Sequence, residues 1–101
     1  MFVVLSHHWC KPGQVDLARE RMEKSSAALT AEPGFLYRYR MERAAEPTVL
    51  TAFTAWADEE DFQRSRKKRF GDNHDLSDTP YERVVAETYQ VVGSVKAPAA
   101  E

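Results

Sequence analysis

Apolar positions along the chain change their period four times, and each change falls at a turn signal. Residues 2–10 are dense in β-branched and aromatic side chains and stop at Lys11-Pro12-Gly13, which a strand does not continue through. From Gln14 to Thr30 there is neither proline nor glycine, and Val15, Ala18, Met22, Ser25 and Leu29 form one stripe at helical spacing. Pro33-Gly34 ends that helix. Phe35 to Arg43 alternates, with Phe35, Tyr37, Tyr39 and Met41 expected on one face and Arg38, Arg40 and Glu42 on the other. After Glu46-Pro47, residues 48–56 read as a further strand ending at Trp56.

Asp58 is placed as an N-cap, and Asp58-Glu59-Glu60-Asp61 puts acid where a helix dipole favours it. The same helix ends in Arg66-Lys67-Lys68-Arg69, before Gly71-Asp72-Asn73. Tyr81 to Val92 supplies the last strand, with Val84, Val85, Tyr89, Val91 and Val92 as its β-formers. The order βαββαβ predicts an α+β, ferredoxin-like domain over residues 1–93. Its four-stranded antiparallel sheet carries both helices on one face, and residues 94–101 form a flexible tail. The opposite sheet face, apolar and aromatic, then calls for a second subunit as its cover, giving a dimeric α/β barrel.

Bulk properties narrow the partners. At 101 residues the chain makes one domain. A formal net charge of −2 argues against a nucleic-acid footprint. No stretch approaches the ~20 apolar residues of a membrane span. Cys10 is the single cysteine, so no internal disulfide forms; with no signal-peptide pattern at the start, a cytoplasmic location is expected.

Lys11-Pro12-Gly13 after a first strand, Pro33-Gly34-Phe35 opening a second, and Trp56 followed by Phe62 resemble the antibiotic-biosynthesis-monooxygenase domain superfamily over residues 2–92. The resemblance implies a dimeric barrel with a small cleft between sheet and helices. It also implies oxidation of polyketide aromatics or quinols by O2 without metal or flavin, with a sub-branch that binds and degrades haem. In that sub-branch a histidine four residues beyond a phenylalanine ligates the iron, which matches the spacing of Phe70 and His74. The first-strand asparagine of those enzymes is replaced by Ser6 and their second tryptophan by Arg64, so two of three signature positions are lost. The plain alternative for His74 is a solvated loop histidine.

Candidate chemistry follows from position. His7 and His8 are adjacent, so they point to opposite faces of the first strand. If Phe2, Val4, Ser6 and His8 share the cleft face, His8 is the candidate base that deprotonates a phenol or enol ahead of electron transfer to O2, with Ser6 beside it. A sheet histidine bonded at a dimer interface is the competing assignment. Tyr37 and Tyr39, with Tyr81 and Tyr89, can line an aromatic pocket or serve as core and interface. Trp56 is a candidate pocket wall whose place before a helix cap also suits packing. Arg64 or Arg66 can hold a carboxylate or haem propionate at a cleft mouth, though Glu60 at i,i+4 offers Arg64 a simple pair. Cys10 reads as an inert thiol. Three functions are compatible: a cofactor-independent monooxygenase on a small aromatic or quinol-like substrate, a haem-binding or haem-degrading protein, and a non-catalytic small-molecule-binding homodimer.

Overall fold

The computed structural model describes residues 1–71 and 75–99. Six elements follow in the order read from the sequence: β1 Phe2–Cys10, α1 Val15–Leu29, β2 Phe35–Arg43, β3 Glu46–Trp56, α2 Glu59–Phe70 and β4 Tyr81–Gln90. The strands form one antiparallel sheet in the order β2-β3-β1-β4, and side chains of both helices pack on one of its faces.

Two boundaries differ from expectation for the same reason, the availability of a neighbouring strand. β3 starts at Glu46 rather than Thr48, because Arg43 pairs with Glu46 across a tight connection. Pro47 is tolerated there because β1 reaches only as far as Val49, leaving that end of β3 unpaired on the side where a proline donates nothing. β4 ends at Gln90, opposite Phe2 at the start of β1, and Val91 makes one last bond from its N–H to the Met1 carbonyl at 2.9 Å.

The helix stripe holds. Ala18, Met22 and Leu29 are buried, and Val15 and Ser25 are half-buried. Met22 and Ala18 meet Leu50 and Ala52 of β3, while Leu29 meets Phe2, Val4 and Trp56. Trp56, 1% exposed, closes this core with Phe35 edge-on at 5.8 Å and Phe62 at 6.2 Å. Phe62 in turn stacks on Phe2 at 5.6 Å. α2 begins as its acids require: Asp58 Oδ1 accepts from the Asp61 N–H at 2.9 Å. Its first turn lies against the turn before β2, where Gly34 has φ +81° and a Cβ would run into the Asp61 carboxylate. Only glycine suits that point on both counts.

The register of β2 corrects one expectation. Phe35 pairs with Trp56, but Tyr37 pairs with Ala55, so the register shifts over Leu36. One extra residue turns the rest of the strand over. Phe35 therefore faces the helices, while Tyr37, Tyr39 and Met41 share the open face with Phe53 and Thr51. The charged row Arg38, Arg40 and Glu42, matched to Thr54, Ala52 and Leu50, lies on the helix side.

Candidate active-site cleft

Phe2, Val4, Ser6 and His8 of β1 share the helix-facing side, as their pairing with Trp56, Thr54, Ala52 and Leu50 requires. The first two sit in the core; Ser6 and His8 are half-buried, where the apolar packing thins towards the far end of the strand. His8 Nδ1 donates to the Leu50 carbonyl at 3.2 Å, and a carbonyl only accepts, so the neutral ring leaves Nε2 with a free lone pair. Its ring leans on Tyr81 of β4 with centroids 4.8 Å apart. Burial is the main cause that holds the His8 pKa below its ordinary 6.5, and the nearby charges of Arg38 and His7 act in the same direction. Burial likewise raises Tyr81, which keeps its phenol protonated.

Arg38 reaches this group from β2. It is half-buried, its Nε is shut off from solvent, and that Nε has no hydrogen-bond partner among the described residues. Desolvation, reinforced by the repulsion of Arg69, brings its pKa down to about 10, which leaves it charged at neutral pH. Arg69, at the end of α2, donates from Nε to Ser65 Oγ at 2.9 Å and lies over the Phe70 ring at 4.8 Å. Burial lowers its pKa as well. The helix-facing side at this end of the sheet thus gathers a neutral imidazole, a protonated phenol and two half-buried cations. The loop before β4 closes one end: Lys11 Nζ donates to the Leu76 and Ser77 carbonyls, both at 3.1 Å, and the Arg21 guanidinium donates to that of Asp78 at 3.4 Å. Alongside, between α1 and β2–β3, a hollow of about 310 Å³ is lined by Met22, Arg40, Glu42 and Leu50 among others. It shares Leu50 with the His8 bond but is not lined by His8.

The other sequence-predicted residues lie elsewhere. Tyr37 and Tyr39 are on the open face, Tyr39 being 61% exposed, with Phe53 between them and the sheet interior. Trp56 is in the core. Arg64 is exposed and pairs with Asp61 at 2.8 Å, not with Glu60. His74 lies outside the described residues. His7 is on the open face, where Nε2 donates to Glu87 Oε1 at 3.1 Å and Nδ1 bonds Thr51 Oγ1 at 3.0 Å; Tyr89 donates to the second Glu87 oxygen at 2.9 Å. Burial raises the Cys10 thiol, in keeping with an inert side chain. Arg38 and Arg69 are the residues of this group that the sequence did not single out; Tyr81 was among the tyrosines it offered for an aromatic pocket. For Arg38 the signal was the alternation of charge along β2, which points either way until the shift over Leu36 is known.

A ferredoxin-like sheet with ionisable groups gathered on its helix-facing side defines a fold class, and comparison with known proteins supplies the family. The family model described as "Antibiotic biosynthesis monooxygenase" matches residues 1–69, more than half of the chain, and the chain belongs to that family. No curated protein sequence matches it. Solved structures are similar in fold. One, from Deinococcus radiodurans and named for the same family, is 11% identical with a TM-score of 0.84, covering 98% of this chain and all of that one. Another so named, from Nitrosomonas europaea, is 16% identical with a TM-score of 0.75, covering 92% of this chain and 100% of that one. The haem degrader MhuD from Mycobacterium tuberculosis is 17% identical with a TM-score of 0.72, covering 95% of this chain and 100% of that one. Among the described residues no helix is long and apolar enough to cross a membrane.

Proposed function

We propose that the protein is a cofactor-independent monooxygenase that oxidises a small aromatic or quinol-like substrate with O2, and that it works as a homodimer. The observation that carries this reading is the His8 arrangement. An imidazole tied at Nδ1 to the Leu50 carbonyl, kept neutral by burial and backed by Tyr81, presents Nε2 as a base inside the cleft. Such a base takes the proton from a phenol, or from the activated CH2 of its keto form, and Arg38 stabilises the anion left behind. The electron-rich anion passes one electron to O2, and the radical pair combines to a peroxide at the same carbon. Loss of water then leaves a carbonyl there, so one oxygen atom ends in the product and the other in water. Ser6, on the same face one strand repeat away, is positioned to bond the substrate's second oxygen.

The open sheet face supports the dimer. Leu5, Trp9, Tyr37, Tyr39, Met41 and Phe53 make it a broad aromatic surface, Tyr39 and Met41 being exposed. Burying such a surface is the main favourable term in association.

The haem reading rests on the shared fold of the haem degrader and on Arg38 and Arg69, whose charge suits propionates. The described residues otherwise fit haem poorly: Arg64 is paired on the surface, Ser6 stands between Ala52 and Ala86, and the proposed ligand His74 is outside them. No step is assigned to that group.

Oxygen uptake by the purified protein with 1,4-naphthoquinol and with anthrone, in the presence of a chelator, tests the oxygenase. Saturable uptake above the spontaneous rate, lost in His8→Ala, supports it. No protein-dependent uptake with either, together with a saturable Soret shift on haemin titration, would transfer the cleft to haem.

A further inference from the structure

The arginines of this chain divide unusually. Arg19, Arg43 and Arg64, on the exterior, each bridge a carboxylate: Glu42 and Asp16 at 2.8 and 2.9 Å, Glu46 at 3.3 Å, and Asp61 at 2.8 Å. Arg38, half-buried on the cleft side of β2, bridges none among the described residues, and its enclosed Nε lacks any acceptor. Among the described residues the charged and titratable groups felt at Arg38 are Arg69, Tyr81, Arg40 and His8; none is a carboxylate. Arg69 faces it from α2 with one Nε bond to Ser65. The nearest acid influence on Arg69 is Glu32, which is itself bridged by Lys68 at 3.7 Å. Stability alone would place the carboxylates the other way round, with the buried cation paired first. An enclosed guanidinium N–H aimed at no acceptor among the described residues is a donor available to a ligand.

We propose that Arg38, with Arg69 beside it, is the carboxylate-binding point of the cleft and that the substrate is a hydroxyaromatic acid, held by its carboxylate on Arg38 while its hydroxyl faces His8 Nε2. This rests on the oxygenase reading of the same cleft and specifies its substrate class. A planar guanidinium and a planar carboxylate pair through two parallel bonds, which fixes the ring as well as the charge. That is the orientation a base at a fixed distance needs. An uncharged isostere leaves the enclosed guanidinium unpaired and binds more weakly than the acid, without being shut out.

The test is binding of 1-hydroxy-2-naphthoate and of its neutral isostere 1-hydroxy-2-naphthamide to the full-length protein, followed by ligand fluorescence. The expected result is a preference for the acid of about tenfold or more, abolished in Arg38→Gln and in Arg38→Met, with the acid losing affinity and the amide bound no more weakly than by the native protein. Because the charge is unpaired without ligand, Arg38→Met is also expected to melt no lower than the native chain. Equal affinities in the native protein, a preference retained by both variants, no saturable binding of either probe, or a lower melting midpoint for Arg38→Met would each overturn the inference. None of these outcomes touches the oxygenase, which is read with uncharged quinols. Conversely, an acid preference without oxygen uptake from any substrate would leave an acid-binding cleft and remove the oxygenase.

Discussion

His7 and His8 are neighbours in the chain and stand on opposite sides of the sheet: His8 bonds the Leu50 carbonyl under the helices, and His7 bonds Thr51 and Glu87 on the open face. The sheet thus separates two side chains that the sequence places side by side, and the proposed function gives them different roles. His8→Ala is expected to abolish oxygen uptake, by 10²-fold or more for loss of a general base, and to leave the dimer intact. His7→Ala is expected to weaken self-association and to change turnover little. Oxygen-electrode rates and sedimentation velocity on both variants check the partition.

Burial depresses the His8 pKa, and the sign of the resulting pH effect follows. Below about 6.5 the unfolded chain takes up a proton that the folded chain refuses until lower pH, so this group's contribution to stability is intact above 6.5. It is lost as pH falls from there to the folded value. The melting midpoint of the native protein is therefore expected to drop between pH 7 and 5 by more than that of His8→Gln, which cannot titrate. Parallel curves would show His8 to be as solvated as in the unfolded chain.

The open face should respond to a charge placed at its centre. Phe53 lies within 6.1 to 6.3 Å, ring to ring, of Tyr39 and Tyr37, and Phe53→Lys would bury an ammonium in any face-to-face pairing. The expected outcome is a native chain that is dimeric by light scattering and a Phe53→Lys variant that is monomeric at the same concentration.

Gly34 is the turn that seats α2 against β2. With φ at +81° and the Asp61 carboxylate where a Cβ would go, Gly34→Ala meets strain and a clash together. A loss of about 1–3 kcal/mol in urea unfolding is expected. Adding Asp61→Ala removes the carboxylate but neither the close Asp61 Cβ nor the φ, so the double variant should recover only part of the loss relative to Asp61→Ala alone.

Much of the fold was legible because local and tertiary preferences agree. Lys11-Pro12-Gly13, Pro33-Gly34 and the Asp58 cap sit where elements change, and the stripe Ala18, Met22, Leu29 is the buried one. The face of β2 was not legible. Alternation from Phe35 to Met41 is an unbroken pattern in the sequence, and a register shift over Leu36 has no composition of its own. That single residue moved Tyr37 and Tyr39 away from the cleft and brought Arg38 into it. His8 was readable because β1 carries no such shift before Trp9. Arg64 was misleading: its neighbour at i−3, Asp61, pairs with it on the surface.

The central claim is that His8 is the base of an oxygenase cleft, and the pH profile of kcat/KM for quinol-dependent oxygen uptake, in the native protein and in His8→Gln, addresses it most directly. An acid limb with its midpoint below 6.5 is expected in the native protein, and in His8→Gln a rate at least ~10²-fold lower at neutral pH with that limb gone. Native-like rates in His8→Gln with the limb unchanged would contradict it.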